Sequence, residues 1–226
     1  MSDIELPLFP LPLVVFPGTP QPLHIFEPRY RELLEDCLAG DGRFGISVAY
    51  PKKTGSDLPH PGDVGCTSRI QSHHALPDGR ANVLVIGEER FVFKELLERD
   101  RLYYVGLVEL FYDAAGEDPD LPRAAGRLRN TFLELMRVMQ QDTPVSDHVP
   151  KLPDDPEGLS FYVAAALHAD LETKEGLLRL TSTKVRLERL RQLVKPQIVQ
   201  AARRASVHRL AKGNGKARHV LDSSIE

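Results

Sequence analysis

The rhythm of apolar and polar positions changes near residue 117. Before that point apolar residues alternate or sit in short runs; after it they recur at helical spacing. In the first 26 residues Pro7, Pro10, Pro12, Pro17, Pro20 and Pro22 interrupt a series of Leu, Val, Ile and Phe. Proline lacks the N–H and is excluded from helix interiors and central strands. Only short extended pieces are therefore expected, over 6–9, 13–15 and 23–25, with Pro17-Gly18 as a turn. Tyr30, Leu33, Leu34, Cys37 and Leu38 then follow helical spacing. Pro28 suits the first turn of that helix and Gly40 its end. Phe44, Ile46, Val48 and Tyr50 alternate as a strand. Further strands are predicted over 64–71, 82–86, 91–93 and 102–112, with turns at Pro77-Asp78-Gly79 and at Glu88-Glu89-Arg90. Six to eight short strands with one helix predict a twisted, largely closed sheet whose opening the helix covers.

Past a Pro- and Asp-rich linker the stripe Leu128, Phe132, Leu135, Met136 and Met139 predicts a helix. Leu159, Val163, Ala166 and Leu167 mark a second, apolar on several faces, and Leu177, Leu178 and Leu180 a short third. A long fourth starts at Ser182 and carries Val185, Leu187, Leu190, Leu193, Val194 and Ile198, with a kink expected at Pro196. The expected organisation is α+β: a β-rich part over 1–116, a helical bundle with a long last helix over 117–210, and a basic, fraying tail over 211–226.

Composition narrows the classes. Of 226 residues, 42% are hydrophobic and 27% charged, as in folded globular chains. No apolar run approaches the length of about 18 that a membrane helix needs. The N-terminal apolar stretch follows Asp3 and Glu5 without a basic flank, so no secretory signal is expected. Two separate cysteines suit a reducing cytoplasm rather than a disulfide framework. The formal net charge of −3 hides an asymmetry. Between Gly176 and His219 there are 12 basic residues and a single acid, Glu188.

Candidate chemistry is thin. His73-His74, with His60, Asp63 and Cys66, matches no zinc spacing and reads as turn polarity. Glu88 and Glu89 are neighbours and point to opposite sides of any extended chain, so they do not converge for acid–base work. Ser47, Ser68 and Ser72 lack a nucleophile elbow. His24, between Leu23 and Ile25, reads as a core-edge histidine. Glu27 and Arg29 flank a helix start, where Glu27 suits the dipole and Arg29 a neighbouring carboxylate. Cys37 lies on the apolar stripe and reads as a small buried hydrophobe. The string Lys212-Gly213-Asn214-Gly215-Lys216 lacks phosphate-loop spacing and a preceding strand. No catalytic residue, cofactor or metal is expected.

Several strings carry a family resemblance. Leu6-Pro7-Leu8-Phe9-Pro10-Leu11 runs into Val15-Phe16-Pro17-Gly18, then Pro22-Leu23-His24-Ile25-Phe26-Glu27-Pro28-Arg29-Tyr30 ahead of the first helix. Gly42-Arg43-Phe44-Gly45, residues 83–93, Asp155-Pro156-Glu157-Gly158-Leu159, residues 174–178 and Leu187-Glu188-Arg189-Leu190 follow in order. Over about residues 4–205 the chain resembles the Lon protease N-terminal, substrate-binding domain. The resemblance implies a pseudobarrel like that of pseudouridine synthase and archaeosine transglycosylase (PUA-like), then a helical bundle. The glycine-proline-serine-alanine-glycine string of the family's protease module and a nucleotide-binding loop are not found, so a stand-alone binding domain is implied.

The expected function is non-catalytic binding of unfolded or extended polypeptide, or of a protein partner such as a separate ATPase or protease. A cleft between barrel and bundle, or a strand edge left open by the proline-rich start, would hold it. Phe16, Leu23, Tyr50 and Phe111 are the candidate peptide contacts. The alternative is an RNA-associated protein using the basic arm, with Arg203, Arg204, Arg209 and Lys212 as candidate polyanion contacts. That arm lacks interleaved aromatic residues, and nucleic acid is the lesser expectation. No membrane partner is expected.

Overall fold

The computed structural model describes residues 3–50, 55–115, 118–140 and 151–221, with side chains described as far as Ser206. The elements are β1 (Asp3–Leu11), β2 (Pro20–Ile25), α1 (Pro28–Ala39), β3 (Arg43–Val48), β4 (Val64–Ala75), β5 (Ala81–Leu97) and β6 (Tyr104–Phe111). They are followed by α2 (Leu121–Gln140), α3 (Pro156–Ala166), α4 (Leu171–Arg179) and α5 (Thr183–Leu221). The six strands form one sheet in the order β2-β5-β4-β3-β1-β6, and a further β5–β6 pairing closes five of them into a ring. Closure depends on the 17-residue β5. Residues 81–86 pair with β2, residues 81–92 with β4, and residues 90–97 with β6 across an irregularity at Phe93–Glu95.

Alternation along the strands separates two apolar clusters. Leu6, Leu8, Phe91, Phe93 and Val108 fill the ring. Glycines make room for them: a Cβ on Gly65 would stand 2.3 Å from the Phe91 ring, and one on Gly106 2.7 Å from Phe93. On the outer face Phe9, Phe44, Ile46, Cys66, Val83, Val85 and Val105 pack with the α1 stripe Tyr30, Leu33, Leu34 and Cys37. The sequence-predicted stripe is thus the buried face of α1, apart from Leu38, which is 42% exposed.

Three local expectations are corrected. β1 is a central strand despite Pro7 and Pro10. Its pairing with β6 runs over residues 3–8 and with β3 over residues 8–11, so each proline falls where the strand is laddered on one side only. Residues 13–15 form no strand, although Val14 and Val15 are buried. Glu88-Glu89-Arg90 is no turn but the middle of β5, because β4 runs antiparallel alongside it. The backbone of α5 is helical from Thr183 to Leu221.

The chain divides into two units, residues 1–117 with 153–183, and residues 118–152 with 184–226. Helices α3 and α4 therefore belong to the unit of the strands, where the sequence pattern assigns them to the helical half. Arg90 supplies the physical reason. Its guanidinium donates to the carbonyls of Leu178 (3.0 Å) and Leu180 (2.6 Å) at the C-terminal end of α4, and lies 5.2 Å from the Phe161 ring of α3. Both helices start on aspartate caps: Asp155 accepts from the Gly158 N–H and Asp170 from the Thr173 N–H. In the other unit α2 buries Ala124, Ala125, Leu128, Phe132 and Leu135. On α5, Leu187, Leu190, Val194 and Ala205 are buried and Pro196 sits inside the helix.

Candidate functional site

The residues expected to contact peptide are mostly structural. Phe16 is fully buried with its ring 6.3 Å from Phe161, and Leu23 lies in the core beneath α1. Neither presents the apolar surface expected of it, because burial next to other hydrophobes is the favourable state for both. Tyr50 is half-buried and donates its hydroxyl to Glu175 on α4. Phe111 is half-buried under the Arg90 guanidinium, 4.6 Å from its ring centroid. Arg203 and Arg204 are exposed on α5; the side chains of Arg209 and Lys212 lie outside the described residues.

The other candidates also fall into supporting roles. Arg29 pairs with Glu27 (3.0 Å) and Asp57 (2.6 Å) and lies 4.4 Å from the Tyr30 ring. Burial raises the pKa of the Asp57 carboxyl, and the hydrogen bond and charge of Arg29 outweigh it, leaving the group below the usual range. Burial pushes the Cys37 thiol up to about 12 and the Cys66 thiol further still, so both stay protonated and inert at neutral pH. Ser47 and Ser68 are buried with no hydrogen-bond partner among the described residues. Among the described residues no group of three or more His, Cys, Asp or Glu is arranged to hold a metal ion. No described helix is long and apolar enough to cross a membrane.

Three strands, β2, β5 and β4, form a flap whose two outer edges differ. On β2 the Gly87 N–H donates to the Thr19 carbonyl at 3.1 Å, which sets the ladder alternation. Gln21, Leu23 and Ile25 then face Val85, Val83 and Ala81 in hydrogen-bonded pairs, and Pro20, Pro22 and His24 turn their backbone groups outward. Two of those three residues have no N–H, and the Pro22 carbonyl already accepts from the Gln21 side chain at 2.9 Å. The prolines close this edge to another strand. The expectation that the proline-rich start leaves an edge open is therefore reversed.

The opposite edge is open. β3 pairs with β4 only over Gly65–Arg69, and the Ile70 N–H donates to the Gly42 carbonyl at 2.9 Å. Beyond Ile70, β4 has no strand on this side among the described residues. The Leu76 N–H donates to the Arg80 carbonyl at 2.7 Å, so Ser72 and His74 are in the bonded pairs with β5. His73 and Ala75 consequently present both N–H and C=O outward. The side chains from Gln71 to Ala75 are all exposed, and no proline interrupts them.

Between these edges the flap carries a shallow depression of about 620 Å³, lined by Pro22, His24, Ser72, His74, Asn82 and Leu84 among others. No carboxylate lines it. His24 and His74 are both opposite Asn82 in the register, and His24 Nδ1 lies 2.8 Å from Asn82 Oδ1. Phe26, 58% exposed, stacks on His24 with ring centroids 6.0 Å apart. The arrangement offers backbone hydrogen bonds at one rim and a partly apolar surface beside them.

The closed sheet with its appended flap and following helices has the α+β, PUA-like architecture expected from the sequence. The chain belongs to the ATP-dependent protease La (LON) substrate-binding domain family, whose model matches residues 5–196. It is 28% identical over 204 residues to Lon protease 1 of Myxococcus xanthus, covering 86% of this chain and 25% of that one. It is 26% identical over 200 residues to the Lon protease of Azospirillum brasilense, covering 84% and 24%. The chain thus spans about a quarter of the length of these curated relatives. Among solved structures it resembles a Lon N-terminal domain protein from Xanthomonas campestris, with TM-score 0.61, 25% identity and coverage of 83% and 96%. The N-terminal domain of Mycobacterium avium complex Lon protease shares the fold, with TM-score 0.66, 18% identity and coverage of 85% and 98%. The part shared with the proteases is their substrate-binding part, not a catalytic module.

Proposed function

We propose that this chain is a non-catalytic module that holds extended polypeptide along the open edge of β4. The observation that carries the reading is the outward pair of N–H and C=O groups on His73 and Ala75, in a strand segment with no strand on that side among the described residues. An extended chain added there makes backbone hydrogen bonds that do not depend on its sequence, which suits unfolded clients. The family's substrate-binding description supports the same role. A separate ATPase or protease would receive the held chain, and no bond is broken on this module.

Backbone amide chemical shifts test the mode of binding. Titration with a reduced, permanently unfolded model protein is expected to shift and protect the amides of His73 and Ala75 before others. Shifts that leave residues 71–75 unmoved overturn the β4 reading.

A further inference from the structure

Three exposed side chains stand in one row across the flap. His24 on β2 and His74 on β4 are both register partners of Asn82 on β5, the strand between them. Directly opposed residues of antiparallel strands project on the same face, so the two imidazoles rise on either side of the Asn82 amide. His73 is opposite Val83 instead and projects to the other face. The His24–Asn82 pair is of the closely spaced kind and the His74–Asn82 pair of the wider kind, which sets the two histidine Cα atoms about 10 Å apart. With metal–nitrogen bonds of about 2.0–2.1 Å, two imidazoles leaning inward span that separation over one cation.

We infer that His24 and His74 bind a divalent transition cation such as zinc above Asn82, with water in the remaining positions. This goes beyond polypeptide binding and does not depend on it. Asn82 Oδ1 lies 2.8 Å from His24 Nδ1. An amide oxygen only accepts, so Nδ1 carries the ring proton and the Nε2 lone pair is turned away from Asn82. A hydrogen bond of this kind, made by the other ring nitrogen, is what orients metal-ligating histidines. The Phe26 ring stacked on His24, with centroids 6.0 Å apart, holds the imidazole from a second side. The depression that contains the row is lined by neither Lys nor Arg among the described residues, so no fixed positive charge repels a cation there. It is lined by no carboxylate either, and an imidazole donor set suits zinc, copper or nickel rather than magnesium or calcium. The two histidines come from separate strands, so no ligand spacing marks them in the sequence.

The test is titration of the full, untagged chain with Zn(II) alone at neutral pH, read by the imidazole 15N resonances. Saturable shifts of both His24 and His74 at one equivalent are expected, with the cation on Nε2 of His24. His24→Gln and His74→Gln should each weaken binding at least about tenfold; Asn82→Ala should weaken it about tenfold with both imidazoles still shifting, because it removes the orienting bond and keeps the ligands. His73→Gln, on the other face, should bind as the parent does. All four positions are exposed, and unchanged amide spectra verify the fold of each variant. No saturation up to about 1 mM Zn(II), unaltered affinity in His24→Gln, or an equal loss in His73→Gln would each overturn the inference. His24→Gln should capture an unfolded polypeptide as the parent does, which separates this inference from the β4 reading.

Discussion

Arg90 and Asp113 form an ion pair 2.6 Å long, with the Arg90 side chain 2% and the Asp113 side chain 10% exposed. The pair joins the middle of β5 to the segment that follows β6. The same guanidinium stacks between Phe111 and Phe161 and holds the last carbonyls of α4. Three kinds of attraction converge on one cation, so its desolvation is compensated.

Removing either partner leaves an uncompensated buried charge. Asp113→Ala is expected to lower unfolding stability by about 3–5 kcal/mol, measured by urea denaturation. Arg90→Met strands the Asp113 carboxylate instead and should cost a similar amount, while freeing the C-terminal end of α4. Faster amide exchange confined to residues 171–180 checks that second effect; uniform exchange throughout contradicts the linking role.

The prolines of β2 protect an edge. Replacing Pro20 and Pro22 by Val restores two outward N–H groups on a strand with a free side. The double variant is expected to self-associate at concentrations where the parent chain does not, as sedimentation velocity would show. A variant with unchanged sedimentation removes the protective role assigned to these residues.

Cys37 gives the fold an alkaline limit. Its folded pKa of about 12 lies above the unfolded value of about 8.5. The protonated thiol therefore contributes stability in full below about pH 8.5, and that contribution is lost as pH rises toward 12. The Cys37→Ser variant should show a shallower decline in stability above pH 9. In the native parent at pH 8, iodoacetamide should label Cys37 and Cys66 only as fast as the protein unfolds, which mass spectrometry can follow.

Much of this architecture is legible in the chain. The stripe from Tyr30 to Cys37 repeats at helical period, and period survives into structure because one face must be buried. The change from strands to helices near 117 is legible for the same reason. What the pattern misses depends on partners distant in sequence. Glu88-Glu89-Arg90 reads as a turn locally, yet becomes strand because β4 lies alongside. Arg90 gives no local sign of its place, since its partners run from Phe111 on β6 to Leu180 after α4, 90 residues away. Phe16 and Leu23 were expected at the surface on hydrophobicity alone, which does not distinguish core from contact. The open edge of β4 is invisible in sequence because it is set by where β3 stops.

The central claim is that extended chains bind where His73 and Ala75 turn their backbone outward. Its most direct measurement is the affinity of a reduced, unfolded model protein for the parent chain and for two variants, His73→Pro and Ala75→Pro, each verified as folded. Each variant removes one outward N–H from an edge that β5 does not use. The account predicts saturable binding to the parent and about tenfold weaker binding to each variant, the equivalent of one hydrogen bond near 1.4 kcal/mol. Equal affinity in all three, or no binding to the parent at high micromolar concentration, would contradict it.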